Sequence, residues 1–159
     1  MIYLDTSALV KKYVAEEGSE NIVTIMQSSV IATSRLTYPE ILSIFVRRFR
    51  AGDITHNKLT VLLKYFESDW DCFTILDIHD ELLPIIKDLI KKHYLRGADS
   101  IHLSSALWLK DTINEDIAFV ASDINLLNAA SSESLNIINP VVDELPDQVF
   151  KTLVTDKTA

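Results

Sequence analysis

Four carboxylates stand where a local reading of the chain puts a strand end or a helix start: Asp5, Glu40, Asp99 and Asp123. Asp5 closes the apolar run Ile2-Tyr3-Leu4, and Asp123 follows the run from Ile117 to Ala121 after Ser122. Asp99 lies in the first turn after Gly97, and Glu40 near the start of the longest amphipathic segment. Singly, each has an ordinary explanation. Asp5 and Asp123 suit helix N-caps, Asp99 complements a helix dipole, and Thr37 with Glu40 matches a capping box. Jointly they have another. Binding sites of open parallel sheets lie beyond the carboxyl ends of the strands, and acids gathered there repel one another unless cations neutralise them. Hard oxygen donors select magnesium or manganese over zinc. Zinc spacing is absent: Cys72 is the single cysteine, and His56, His79, His93 and His102 are scattered. Two such ions ~3.5–4 Å apart suit phosphodiester hydrolysis, one activating water and one steadying the leaving oxygen, with the ions set against the charge that develops on phosphoryl oxygens.

The elements that must position these acids follow from periodicity and punctuation. Short apolar runs predict strands at 2–4, 30–33, 72–76, 117–121 and 136–138. Helices are expected from Ala8 to Ala15, from a Ser19 cap through about Gln27, and from Leu36 to a stop at Gly52. Others are expected from Thr55 to Asp69, Asp80 to Tyr94, Ala98 to Lys110 and Ile124 to Ala130. Pro84 is tolerated because it falls in a first turn. Strands separated by helices or helix pairs predict an α/β fold, a mostly parallel central sheet with helices on both faces.

The chain has 159 residues, which fits one domain. Its 48% hydrophobic and 24% charged residues are globular proportions that argue against disorder. Three glycines and four prolines favour helices with short connections over a loop-rich β design. The net charge of −8 argues against a general nucleic-acid binder, which carries a basic face. Two bound divalent ions would bring it to −4, and the basic residues cluster at Arg47, Arg48, Arg50 and at Lys91, Lys92, His93, Arg96. Such clusters are most often solvated helix faces. Cys72 lies in an apolar run and is expected to be a small buried hydrophobe, consistent with a reducing cytoplasm. No targeting signal or membrane-length apolar run is visible.

The motifs resemble those of PIN-domain nucleases. Ile2-Tyr3-Leu4-Asp5-Thr6-Ser7-Ala8-Leu9 is similar to the first motif, and Ser34-Arg35-Leu36-Thr37-Tyr38-Pro39-Glu40-Ile41 to the second. Leu95-Arg96-Gly97-Ala98-Asp99-Ser100-Ile101-His102-Leu103 is similar to the third, and Phe119-Val120-Ala121-Ser122-Asp123, with Leu126 and Ala129 beyond, to the fourth. They occur in order and at fitting spacing from residue 1 to about 138, and the branch they resemble is the VapC-type toxins. The resemblance implies a PIN-like three-layer α/β/α fold over residues 1–140, with 141–159 an extension or tail. It implies a magnesium- or manganese-dependent endoribonuclease, a homodimer, and a cognate antitoxin. Asp5 and Asp99 would be the main metal ligands, with Glu40 and Asp123 completing the set directly or through water. Thr6, Ser7 and Ser122 would orient a carboxylate or water.

His102 shares a helix face with Asp99 and is read as a packing histidine at the site margin rather than a base. Trp70 and Trp108 are read as packing residues of the core or a dimer. Two alternatives remain: a non-catalytic binding module of the same fold, and an aspartate-nucleophile phosphotransferase using Asp5. The second would want another acid two residues on, where Ser7 stands.

Overall fold

The computed structural model describes residues 1–143. Its elements run β1 (Ile2–Leu4), α1 (Thr6–Leu9), a 3-10 turn (Val10–Lys12), α2 (Ser19–Ser28), β2 (Ile31–Ser34) and α3 (Thr37–Ala51). Then come α4 (His56–Trp70), β3 (Thr74–Leu76), α5 (Leu82–His93), α6 (Gly97–Ile113), β4 (Ala118–Val120), α7 (Ile124–Ser132) and β5 (Asn136–Ile138). The five strands form one sheet in the order β3-β2-β1-β4-β5, every pair parallel. Tyr3 of the central strand lies between Ala32 of β2 and Phe119 of β4.

Strand periodicity splits the buried side chains into two cores. Ile2, Leu4, Ala118 and Val120 face one way, into a cluster with Ile22, Ile25, Ile41, Phe45, Leu62 and Phe66 from α2, α3 and α4. Tyr3, Phe119 and Ala121 face the other way, against Leu89, Leu103, Ala106, Leu126 and Ala130 from α5, α6 and α7. The sheet is thus the middle of three layers. Because both faces are covered there, the inner strands β1 and β4 read as continuous apolar runs rather than alternating ones.

Several local expectations are corrected. The single helix from Ala8 to Ala15 is instead α1 followed by a 3-10 turn, because Asp5 caps the segment and starts it at Thr6. The tighter turn eclipses positions three apart and buries Val10 and Tyr13 together. Ser19 is the first residue of α2 rather than its cap. Gly18 caps it with φ +86°, and the Ser19 hydroxyl accepts from the Glu16 N–H. Glycine is required at that turn, since a Cβ would lie 2.6 Å from the Pro140 carbonyl oxygen. Cys72 is exposed. The turn that ends α4 takes up Asp71 to Phe73, so the third strand begins at Thr74 rather than Cys72. Trp70 packs half-buried against Tyr38, Phe66 and Phe73, and Trp108 stands edge-on to His79 with its indole N–H donating to Glu81. Most of the expected C-terminal extension, residues 144–159, lies outside the described residues.

Candidate active site

The strand order reverses direction at β1. Chain connections pass from β1 to β2 and β3 on one side, and β4 and β5 lie on the other. The crevice above the carboxyl ends of β1 and β4 is therefore the switch point at which open α/β sheets bind ligands. Asp5 is the first residue after β1, with its N–H donating to the Val120 carbonyl at the end of β4. Asp123 caps α7 just beyond β4.

Asp5 is nearly buried. Its Oδ2 accepts from the Ser7 N–H at 3.0 Å and the Ser7 hydroxyl at 2.6 Å, which closes the cap of α1. The Ser7 hydroxyl also accepts from the Ser122 N–H at 3.0 Å, tying the ends of β1 and β4 together beneath the carboxylate. Glu40, in the first turn of α3, is held by the Thr6 hydroxyl at 2.5 Å and by His102 Nε2 at 2.9 Å. Asp99, in the first turn of α6, accepts from Arg96 at 2.8 and 3.3 Å. The same guanidinium stands 3.7 Å from Asp123, whose Oδ1 accepts from the Leu126 N–H at 3.0 Å. The sequence-selected acids thus come together in two pairs, Glu40 and Asp5 about the His102 ring and Asp99 and Asp123 about the Arg96 guanidinium.

Capping and convergence prove compatible. Asp5 and Asp123 each use one oxygen as an N-cap and turn the other into the site, toward His102 and Arg96 respectively. The capping box at Thr37 and Glu40 does not form. Leu36 occupies the cap without a side-chain hydrogen bond, and Thr37 turns inward to bond Thr33 at 2.7 Å. Thr33 in turn donates to the Leu4 carbonyl, and the Thr6 hydroxyl, whose proton goes to Glu40, stands 3.4 Å from that of Thr37, so a buried threonine chain runs under Glu40 from β1 to α3.

His102 is not at the margin. It is 1% exposed, with Nδ1 3.0 Å from the Tyr3 hydroxyl and Nε2 facing Glu40, Thr6 at 3.2 Å and Asp5 at 3.5 Å. Burial alone would push its pKa down, but the Asp5 charge and the Glu40 hydrogen bond and charge outweigh it and raise it above its ordinary value. For Glu40, burial would raise the pKa, and the hydrogen bonds from His102 and Thr6 outweigh it and bring it below its ordinary value. Tyr3 and Thr33 were not singled out from sequence, and Thr37 was read only as a cap. They sit in a strand or helix start whose local pattern asks only for packing or capping, and no local signal marks them.

Oxygen donors of this kind suit a hard divalent ion. Arg96, a cation resting on two carboxylates from separate elements, marks the place where positive charge is stabilised. Among the described residues no three acid, histidine or cysteine side chains are grouped, as they stand, to hold one ion. Arg96 and His102 lie between them. Among those residues, too, no helix is long and apolar enough to cross a membrane.

A sequence profile of the PIN domain matches residues 2–131. The chain belongs to the PIN-domain family. Within it, this PIN domain is of the VapC type: it is 34% identical over 116 residues to ribonuclease VapC45 of Mycobacterium tuberculosis, covering 70% of this chain and 78% of that protein. Its fold is that of FitAcB from Neisseria gonorrhoeae, with TM-score 0.66, 20% identity, and 90% of this chain and 100% of that one covered. A chain of a toxin–antitoxin complex from Klebsiella pneumoniae is similar at TM-score 0.58 and 12% identity, over 88% of this PIN domain and 98% of that chain.

Proposed function

We propose that this chain is a magnesium- or manganese-dependent endoribonuclease, the toxin of a toxin–antitoxin pair, with Asp5, Glu40, Asp99 and Asp123 as its catalytic acids. The observation that carries the reading is their arrival at the switch point from four separate elements as two pairs, one about His102 and one about Arg96. Support comes also from the relative named as a ribonuclease and from the fold neighbour within a toxin–antitoxin complex. A homodimer, a cognate antitoxin and a cytoplasmic setting belong to the same proposal.

In this reading Asp5 and Asp99 are the principal ligands, and Glu40 and Asp123 complete the set. A divalent ion held there supplies Lewis acidity toward a phosphoryl oxygen and lowers the pKa of water. Ser7, with Ser122 behind it, fixes one oxygen of Asp5 so that the other stays turned to the site. Thr6 and His102 do the same for Glu40. This leaves the carboxylates oriented before ligand arrives, so little reorganisation is needed on binding. His102 is too enclosed to exchange protons with a substrate and acts as a positioning residue.

The test is cleavage of single-stranded RNA by homogeneous protein with magnesium, with manganese and with chelator. Cleavage should require metal and vanish in Asp5→Asn, a variant that retains the cap and hence the fold. Equal cleavage by wild type and Asp5→Asn, or metal-independent binding without cleavage, would reject it in favour of contamination or of a binding module.

A further inference from the structure

Beside the acids, a cleft of about 630 Å³ opens between the end of α5 and the face of α7. Asp99, Asp123 and Arg96 form its site end, and Tyr94, Asn125 and Asn128 are among the residues that line the rest. Tyr94 is the most exposed large hydrophobic side chain among the described residues, at 91%. Its backbone is left-handed, φ +54°, where it ends α5 with its N–H on the Ile90 carbonyl. That conformation is ordinary for glycine or asparagine and costly for an aromatic residue. No packing contact offsets the cost, since the ring is in solvent. Asn125 and Asn128 lie three residues apart on α7 and so share a face, presenting amide donors and acceptors to the same cleft.

We infer that this cleft is a nucleobase subsite of the ribonuclease proposed above, in which Tyr94 stacks on an unpaired base next to the scissile phosphate and Asn125 and Asn128 read its edge. The inference rests on that reading for the identity of the strand. The parts match the demands of a single strand. Every base offers a π-face to an aromatic platform, and unpaired bases expose the edges that amides hydrogen-bond. Charge points the same way. A chain of net charge −8 gains little from tracking the phosphate backbone. Among the described residues Arg96 is the one arginine or lysine lining this cleft, and His93, also on its wall, is taken up by Glu133, so contact with base faces must carry more of the affinity. A duplex, whose bases are stacked on one another, offers Tyr94 nothing. The substrate is therefore single-stranded RNA or an unpaired loop, and its binding depends only weakly on salt.

The test measures anisotropy of fluorescein-labelled hexaribonucleotides with hydrolysis-resistant phosphorothioate links, and of abasic ribose-phosphate oligomers of equal length, against full-length protein in magnesium. The proteins are wild type, Tyr94→Phe, Tyr94→Ala and Tyr94→Asn, the last suited to the left-handed backbone so that loss of the ring is separated from strain. Tyr94→Ala and Tyr94→Asn should both weaken hexaribonucleotide binding by about 5- to 150-fold, the effect of losing one base–aromatic stack. Tyr94→Phe should stay within about threefold, since it keeps the π-face, and all proteins should bind the abasic oligomer alike. Wild-type affinity in both ring-less variants, or equal loss on the abasic oligomer, overturns the subsite. Cleavage of unmodified RNA separates the two proposals. Wild type that cleaves while the Tyr94 variants bind and cleave unchanged leaves the nuclease and removes the subsite. Ring-dependent binding without cleavage does the reverse.

Discussion

The guanidinium of Arg96 lies 2.8 Å from a carboxylate oxygen of Asp99, one helical turn along, and extends to Asp123 at 3.7 Å. An arginine from this chain thus sets its single charge against two of the four acids proposed to hold metal. An incoming divalent ion must compete with it. The arginine is largely exposed, so its attraction is screened to roughly 1 kcal/mol at about 4 Å, or about fivefold in affinity. Arg96→Gln should therefore bind manganese several-fold more tightly by calorimetry. Unchanged or weaker binding would mean that Arg96 does not oppose the ion.

Asp123 serves both as cap of α7 and as a site acid, and two substitutions separate the duties. Asp123→Asn keeps the capping oxygen and removes the charge. It should melt near wild type and cleave RNA poorly. Asp123→Ala removes both and should lose a further ~1 kcal/mol of stability. If the two variants unfold at the same denaturant concentration, the cap is energetically idle.

His102 and Glu40 predict a pH window for the metal-free protein. His102 has its folded pKa raised above 6.5, so its contribution is complete below that value and is lost as pH rises through the folded pKa. Glu40 has its folded pKa lowered below 4.5, so its contribution is complete above that value and is lost as pH falls through the folded pKa. Both are present together between 4.5 and 6.5. With chelator present, the stability difference between wild type and His102→Gln should be largest in that interval and shrink on either side. A difference that does not vary with pH would contradict the pairing.

Gly18→Ala tests the turn before α2. A left-handed backbone costs a non-glycine residue ~1–2 kcal/mol, and crowding adds ~1–3 kcal/mol. The added methyl would meet the Pro140 carbonyl at 2.6 Å. Loss of about 2–5 kcal/mol is expected in urea unfolding, together with faster amide exchange at Val142 and Asp143, whose N–H groups both donate to the Asn139 carbonyl beside Pro140. A neutral substitution would show that the Pro140 segment yields freely.

The parallel sheet and its two helical layers were legible because each strand is a short apolar run and each long helix carries its apolar residues at helical spacing. Element bounds were less so. The turn after α4 displaced the third strand past Cys72 and exposed that side chain. Ser19 has the chemistry of a cap, but the backbone turn needed at Gly18 moved the cap back one residue.

For the site, the chain order supplied the acids and their places at element ends, because capping and charge complementarity are local. What lies between the acids is non-local. His102 looks like a packing residue on α6 until β1 and α3 bring Asp5 and Glu40 against its ring. Arg96 is one member of a basic run until α7 sets Asp123 beside it. The strand order that places Asp5 and Asp123 at one switch point is likewise a property of the assembled sheet. Local propensity chooses each residue's neighbours within a turn. Only packing of the layers chooses which charges must face one another across the crevice.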